Sequence, residues 1–243
     1  MHKFGLLGKN ISYSFSRGYF TEKFSREGIL ATYENFDLQN ISEFPEVLKK
    51  NPKLKGLNVT IPFKEQIIPF LDSLDTVASE IGAVNTIKIE KTGKLTGFNT
   101  DHFGFAEAIR PHLKEHHKKA LILGTGGASK AVQYALLHLG IAVQFVSRTA
   151  GAGTLSYNEL DEQVLSEFKI IINCTPLGTF PKTAEFPPVP VEWISSKHLV
   201  FDLIYNPPVT KLMELAQAKG ATVVNGQKML ELQAEKAWEI WNS

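Results

Sequence analysis

Short apolar runs alternate with amphipathic stretches along most of the chain. Apolar runs that end in glycine or polar turns predict strands at residues 4–7, 33–36, 120–123, 141–146, 169–173, 199–203 and 221–224. Apolar residues at helical spacing predict helices near 18–27, 41–50, 103–113, 129–139, 210–219 and 226–241. Because strands and helices alternate, the pattern indicates an α/β fold with mainly parallel strands.

Between residues 56 and 101 the pattern is mixed, with an alternating segment at 57–61, helical turns predicted at 67–72 and 76–81, and a hairpin. Leu57, Val59 and Ile61 alternate with polar residues, which predicts a strand that a proline ends. A hairpin follows, with strands from 83 and from 95 and a turn at 91–94. Lys64 and Asp101 each come just past a β segment, where ligand crevices form in α/β sheets. The alternatives are a solvated lysine and a helix-capping aspartate.

A glycine turn joins the strand at 120–123 to the helix at 129–139. Together with the strand at 141–146 this makes a βαβ unit of about 30 residues. The turn carries Gly124, Gly126, Gly127 and Ala128, and Ser129 stands where a third glycine is usual. Such a turn lets a pyrophosphate approach the backbone at a helix N-terminus, although a tight turn without a ligand has the same composition.

The residues after the second strand of this unit favour one cofactor. An Asp or Glu would hold the ribose 2′-hydroxyl of NAD, but the chain has Ser147, Arg148 and Thr149 here. An arginine flanked by hydroxyls suits a 2′-phosphate instead, so we expect NADP.

Composition excludes several kinds of partner and of structural site. The 243 residues are 43% hydrophobic and 21% charged, with a net charge of +1, so we expect neither nucleic acid nor an anionic membrane as a partner. The single cysteine, Cys174, excludes an intramolecular disulfide and a thiolate metal cluster. Neither a signal segment nor a run long enough to span a membrane is present, so we expect a cytoplasmic protein.

Two polar loops are further candidates for ligand binding. Ser14 and Ser16 lie at alternate positions before the first helix, where they either cap that helix or point together as hydroxyl donors. Thr175 follows a buried strand in a turn that contains proline and glycine, as expected at a crevice edge.

Taken together, these segments resemble the shikimate dehydrogenase family over nearly the whole chain. Its substrate-domain motifs are matched by the serine loop, the runs 58–64, 83–86 and 99–101, and the tail at 226–234. Its cofactor-domain motifs are matched by the runs 124–129, 147–149, 173–178 and 202–207.

The resemblance implies two α/β domains with a cleft between them. Residues 1–102 and 226–243 would form the substrate domain, and 103–225 a Rossmann-like NADP domain. The implied reaction is the reversible NADPH-dependent reduction of 3-dehydroshikimate to shikimate, in the pathway to aromatic amino acids. The implied partners are this small substrate and NADP, with no metal, in a monomer or homodimer.

The resemblance also implies residue roles. Lys64 and Asp101 would be the catalytic pair. Ser14, Ser16 and Tyr205 would hold the substrate carboxylate, and Thr60, Asn85 and Gln233 its hydroxyls. The cofactor would be bound by Gly124, Gly126, Gly127, Ala128, Ser129, Ser147, Arg148, Thr149, Thr175, Gly226 and Met229, the last two near the nicotinamide.

The chain departs from the family pattern at four positions. Tyr13 replaces a usual His, Arg17 a common Pro and Thr179 a frequent Met. Ala152 stands where a second basic residue is often present, which leaves the phosphate to Arg148, Thr149 and Lys130.

Three other functions remain open at this stage. They are a broader quinate/shikimate dehydrogenase, an NADP-dependent methylenetetrahydrofolate dehydrogenase, and a non-catalytic NADP-responsive binding protein of the same fold. The paired serines argue against a pterin substrate, and the presence of both Lys64 and Asp101 argues against a mere binder.

Overall fold

The computed structural model describes residues 1–12 and 14–243, so Tyr13, one of the departures from the family pattern, lies outside the described residues. The chain divides into an N-terminal unit, Met1–Thr100 with Gln233–Ser243, and a central unit, Asp101–Leu232. Each unit is built on a sheet with helices, which confirms the predicted α/β class. The domain boundaries expected after residues 102 and 225 stay a prediction.

A mixed sheet forms the N-terminal unit. In the described residues its strands are β1 (His2–Gly8), β2 (Ala31–Asp37), β3 (Leu54–Val59), β4 (Ser73–Leu74), β5 (Thr86–Ile89) and β6 (Leu95–Phe98), in the order β2-β1-β3-β5-β6-β4. β1 runs parallel to β2 and β3, while β5 is antiparallel to β3 and β6. The helices of this part are α1 (Phe15–Arg26), α2 (Phe44–Lys50) and α3 (Thr76–Ile81).

The end of the C-terminal helix α8 (Gln227–Asn242) packs in the hydrophobic core of the N-terminal unit. Trp241 is 7% exposed, packs against Phe4 and Phe20, and its indole donates to the carbonyl oxygen of Ile87 at 3.0 Å. Gly56 makes room for it, because a Cβ there would lie 2.2 Å from the indole nitrogen. The helix is therefore fixed on the sheet by one large side chain that fills a glycine gap.

The central unit contains a parallel sheet. Its described strands are β7 (Lys119–Leu123), β8 (Ala142–Ser147), β9 (Thr154–Ser156), β10 (Ile170–Asn173), β11 (Leu199–Asp202) and β12 (Thr222–Asn225), in the order β12-β11-β10-β7-β8-β9. The strand order reverses between β7 and β10, and in doubly wound sheets ligands bind at the carboxyl ends of the strands at such a point.

Helices cover both faces of this sheet. They are α4 (Asp101–Ile109), α5 (Gly127–His138), α6 (Glu162–Glu167) and α7 (Lys211–Ala218), together with the start of α8. Ala120 and Ile122 pack in one core cluster, whereas Leu121 and Leu123 pack in the other. The continuous apolar run of β7 follows from burial on both faces.

Several elements differ from the prediction. The first helix begins at Phe15, three residues early, because Ser14 caps it. Ile61 is 71% exposed and lies beyond β3, since a proline that follows cannot donate to a sheet ladder. The short elements β4, β9 and α6 were not predicted, although Asp161 caps α6 by accepting from the Val164 N–H at 2.8 Å.

Candidate active site

The glycine turn after β7 leaves an open helix N-terminus. Gly124 has φ +98°, a conformation that favours glycine, and a Cβ there would lie 3.2 Å from Cγ2 of Thr175. A Cβ on Gly126 would meet no atom within 4 Å. Gly126 is the N-cap of α5, and no side chain from the described ranges caps it. The backbone N–H groups at a helix start without a side-chain cap fit a pyrophosphate.

The Ser129 side chain stabilises this turn by a hydrogen bond within it. Gly127 and Ala128 begin α5, and the Ser129 hydroxyl donates to the carbonyl oxygen of Gly126 at 2.6 Å. The side chain is only 1% exposed. The hydroxyl therefore holds the turn in place where the fingerprint usually has its third glycine.

Residues 147–149 form a tight turn at the end of β8. The Ser147 hydroxyl donates to the carbonyl oxygen of Thr149 at 2.5 Å, and the Thr149 N–H donates to Ser147 Oγ at 3.3 Å. Arg148 at the tip is exposed, and no carboxylate of residues 1–12 or 14–243 forms an ion pair with it. Burial raises the pKa of Tyr157, and the nearby Arg148 guanidinium opposes that rise. The turn presents a cation that fits a 2′-phosphate.

A buried carboxylate ties together the loops that follow β10 and β11. Asp202 accepts from Asn173 Nδ2 at 3.0 Å, from the Ile204 N–H at 3.1 Å and from the Thr210 hydroxyl at 2.6 Å. Asn173 Oδ1 in turn accepts from the Thr175 hydroxyl at 2.7 Å. Burial raises the pKa of Asp202, and these three hydrogen bonds oppose the rise. The network fixes Thr175 and the start of the loop that carries half-buried Tyr205.

Gly226 and Met229 stand at the start of α8. A Cβ on Gly226 would lie 2.1 Å from the carbonyl oxygen of Leu203, so only glycine fits this approach of two backbone segments. Met229 is 6% exposed and belongs to the same apolar cluster as Phe105. Their expected place near a nicotinamide stays a prediction.

Asp101 is the first residue of α4 and is 3% exposed. Burial, followed by the charges of Asp202 and Asp101, raises the pKa of the Cys174 thiol. Asp101 therefore lies near the carboxyl end of β10, and Cys174 stays protonated and is no nucleophile. The capping alternative and a catalytic role both remain compatible with this placement.

The serine loop of the N-terminal unit is ordered by helix capping. Ser14 Oγ accepts from the Arg17 N–H at 3.3 Å, as the capping alternative expects. A cap uses only a lone pair of the hydroxyl, so its proton is available to a ligand. Ser16 is half-buried in the first turn of α1, and burial raises the pKa of Tyr33 while the Ser16 side chain opposes that rise.

Thr60 and Lys64 lie on a segment held by backbone hydrogen bonds. The Thr60 N–H donates to the carbonyl oxygen of Leu7 at 2.9 Å, and the Val84 N–H donates to that of Lys64 at 2.7 Å. Phe63 is only 2% exposed and anchors the segment in the core. The half-buried Lys64 side chain thus projects from a rigid backbone.

Asn85 and Gln233 come together across 148 positions of sequence. Asn85 Nδ2 donates to Gln233 Oε1 at 2.9 Å and to the Thr100 hydroxyl at 3.0 Å. Asn85 is 2% exposed, whereas Gln233 is half-buried. The sequence assigned both residues to one ligand, and the structure brings these two into direct contact.

Sequence reasoning missed three polar residues next to this pair. Tyr33 donates to Asn58 Oδ1 at 2.7 Å, and Asn58 Nδ2 donates to Thr86 Oγ1 at 3.2 Å. All three are buried. The only signal was that Asn58 and Thr86 stand on central strands, where a polar side chain needs a partner.

Two further findings concern metals and membranes. Within residues 1–12 and 14–243, no group of three or more His, Cys, Asp or Glu side chains has the arrangement of a metal site. None of the helices in these ranges is long and apolar enough to cross a membrane.

Comparison with known proteins gives one consistent answer. The model for the shikimate dehydrogenase substrate binding domain matches residues 6–87. Shikimate dehydrogenase (NADP(+)) of Clostridium botulinum is 37% identical, over 99% of this chain and 96% of its own.

Two solved structures extend the likeness to the fold. The shikimate 5-dehydrogenase of Thermus thermophilus, in complex with NADP(H) and shikimate, has a TM-score of 0.87 at 31% identity and covers 99% of this chain and 93% of its own. Quinate dehydrogenase from Corynebacterium glutamicum, in complex with NAD, has a TM-score of 0.87 at 25% identity, with coverage of 99% and 93%. This chain belongs to the shikimate dehydrogenase family.

Proposed function

We propose that this chain catalyses the reversible NADPH-dependent reduction of 3-dehydroshikimate to shikimate in the pathway to aromatic amino acids. The observation that carries the proposal is the near-full-length similarity to shikimate dehydrogenase (NADP(+)). The carboxamides of buried Asn85 and half-buried Gln233 add chemical support, because a polyhydroxylated ring needs convergent amide and hydroxyl partners.

Proton transfer is the step that this chain's own side chains perform. NADPH supplies the hydride when it is bound. Lys64 gives a proton to the substrate oxygen that becomes the hydroxyl, and receives it in the reverse direction. Asp101 is the second member of the catalytic pair. The held backbone on both sides of Lys64 supports this role, because general acid catalysis needs a fixed donor.

Substrate recognition divides between carboxylate and hydroxyl groups. Ser14, Ser16 and Tyr205 hold the carboxylate, and Thr60, Asn85 and Gln233 hold the ring hydroxyls. Ser14 keeps its proton while it caps α1, which supports its role as a donor.

NADP is held by the turn after β7 and the turn after β8. The N–H groups at the start of α5 take the pyrophosphate, and Arg148 with Thr149 takes the 2′-phosphate. Thr175, Gly226 and Met229 complete the cofactor contacts. Two observations support this assignment: no side chain in the described ranges caps the start of α5, and the exposed turn at 147–149 contains no Asp or Glu.

The proposal also covers the domain division, the cellular location and the oligomeric state. Residues 1–102 with 226–243 form the substrate domain, and 103–225 the NADP domain. The enzyme works in the cytoplasm as a monomer or homodimer, with a small molecule as its partner.

A second candidate is a quinate/shikimate dehydrogenase of broader specificity, which the likeness to a quinate dehydrogenase favours. Absorbance at the NADPH band separates the two, first with shikimate and NADP, then with quinate and NAD. Turnover with shikimate and NADP alone supports the main proposal. Comparable turnover with quinate and NAD supports the second candidate, and no turnover with either pair refutes both.

A further inference from the structure

The orientation of the Asn58 carboxamide is fixed by a backbone carbonyl. Asn58 Nδ2 lies 3.4 Å from the carbonyl oxygen of Asn85 and 3.2 Å from Thr86 Oγ1. A backbone carbonyl only accepts, so this atom is the amide nitrogen. Asn58 Oδ1 therefore faces the Tyr33 hydroxyl at 2.7 Å, and Tyr33 must donate to it.

A backbone N–H fixes the Asn85 carboxamide in the same way. The Thr100 N–H donates to Asn85 Oδ1 at 2.7 Å, and the Thr86 hydroxyl donates to the same oxygen at 3.1 Å. Asn85 Nδ2 must then face outward, where it donates to Gln233 Oε1 at 2.9 Å. Thr86 joins the two amides, since it accepts from Asn58 and donates to Asn85.

These bonds make one chain that runs in a single direction, from Tyr33 through Asn58, Thr86 and Asn85 to Gln233. At its end the Gln233 oxygen is used as an acceptor. Across the described ranges, Gln233 Nε2 makes no hydrogen bond, and the residue is half-buried. The chain thus ends in an amide N–H group that is available to a ligand.

We propose that Tyr33 is a positioning residue that holds this chain of hydrogen bonds in the direction fixed by the two backbone groups, so that Gln233 presents a donor, and not an acceptor, to a substrate hydroxyl. This inference rests on the proposed function, which assigns Gln233 to the substrate. Tyr33 suits the task because its ring is 5% exposed and stacks on Phe20, with centroids 4.7 Å apart. A ring held in this way keeps its hydroxyl at one point.

Tyr33→Phe removes the first donor of the chain and keeps the ring. The KM for shikimate is expected to rise about 2- to 10-fold, the scale of one net hydrogen bond. The kcat and the KM for NADP should change less than about twofold, because neither proton transfer nor the cofactor is touched. Tyr19→Phe is the matched control. Tyr19 is in the same aromatic cluster, and it donates to Glu235, which is not part of this chain of hydrogen bonds.

A double-mutant cycle tests whether Tyr33 acts through Gln233. In a Gln233→Ala background, Tyr33→Phe should add almost no further increase in the KM for shikimate, because the last amide of the hydrogen-bond chain has been removed. A full-size increase in that background would overturn the proposal and would indicate an effect through Ser16. Thr86→Val breaks the middle of the chain and should reproduce the Tyr33→Phe profile, which keeps the test open if Tyr33→Phe folds poorly.

A measurement without substrate separates this proposal from the proposed function. In the ligand-free protein, the Gln233 side-chain amide is identified in a ¹⁵N–¹H spectrum by its loss in Gln233→Ala. Its resonance should shift in Tyr33→Phe and in Thr86→Val but not in Tyr19→Phe. An unmoved resonance in both variants overturns the positioning role. Absence of shikimate turnover by the unmodified protein would instead refute the proposed function, whatever the spectrum shows.

Discussion

Replacing Arg148 with alanine should remove most of a preference for NADP over NAD. Arg148 stands at the exposed tip of the turn after β8, which the bonds between Ser147 and Thr149 hold in one shape. No acidic side chain in residues 1–12 or 14–243 competes for its guanidinium. A 2′-phosphate would therefore meet a cation that stands on a turn of fixed shape and is not engaged by a carboxylate.

The expected size follows from the exposure of this arginine. A hydrogen bond to a charged group generally corresponds to about a 10- to 100-fold preference. Solvent screens an exposed pair, and the second basic residue is replaced by Ala152, so we expect the lower end, about tenfold. The ratio of kcat/KM with NADP to kcat/KM with NAD should fall by this factor in Arg148→Ala.

The assay compares both cofactors at fixed, saturating shikimate in the unmodified protein and in two variants. Arg110→Ala is the control, because Arg110 is an exposed arginine of the same unit that pairs with Glu107 at 3.1 Å. Its cofactor ratio should be unchanged. Equal use of NADP and NAD by the unmodified protein, or an unaltered ratio in Arg148→Ala, would refute the reasoning.

The other predictions concern turnover, binding and stability. Lys64→Ala should lower kcat at least about 10²-fold with little change in substrate binding, and normal turnover would exclude Lys64 as the proton donor. A Ser14→Ala/Ser16→Ala double variant should raise the KM for shikimate without loss of fold, whereas unchanged kinetics would leave these serines as capping residues only. Burial lowers the pKa of His198, whose Nε2 bonds to the carbonyl oxygen of Leu165 at 2.8 Å. Below about pH 6.5 the unfolded chain therefore binds more protons than the folded protein. The free energy of unfolding should fall as the pH drops from there through the lowered pKa of His198 in the folded state. A melting temperature that stays constant from about pH 7.5 to 5 would contradict this.

The parallel sheet was predictable because its strands are buried on both faces. Residues 120–123 and 169–173 are continuous apolar runs, and they lie in β7 and β10 almost residue for residue. The glycine turn between β7 and α5 was equally predictable, since only glycine suits φ +98° at Gly124.

Short elements escaped prediction because they carry too few residues for a periodic pattern. β9 has 3 residues and α6 has 6, and neither completes two repeats of its apolar face. The start of α1 was misplaced for a different reason. After Phe15 its first turn has no further large apolar residue, so the cap at Ser14, and not the apolar spacing, determines where it begins.

The direction of the polar chain in the N-terminal unit lies beyond sequence reasoning altogether. An asparagine presents an oxygen and a nitrogen of nearly equal size, and only its neighbours determine which faces which way. For Asn85 that neighbour is the Thr100 N–H, whose position depends on the pairing of β5 with β6. Residue identity can therefore predict that Asn85 and Gln233 bind a polar ligand, but whether Gln233 offers it a donor or an acceptor follows from backbone register, with Tyr33 in the positioning role proposed above.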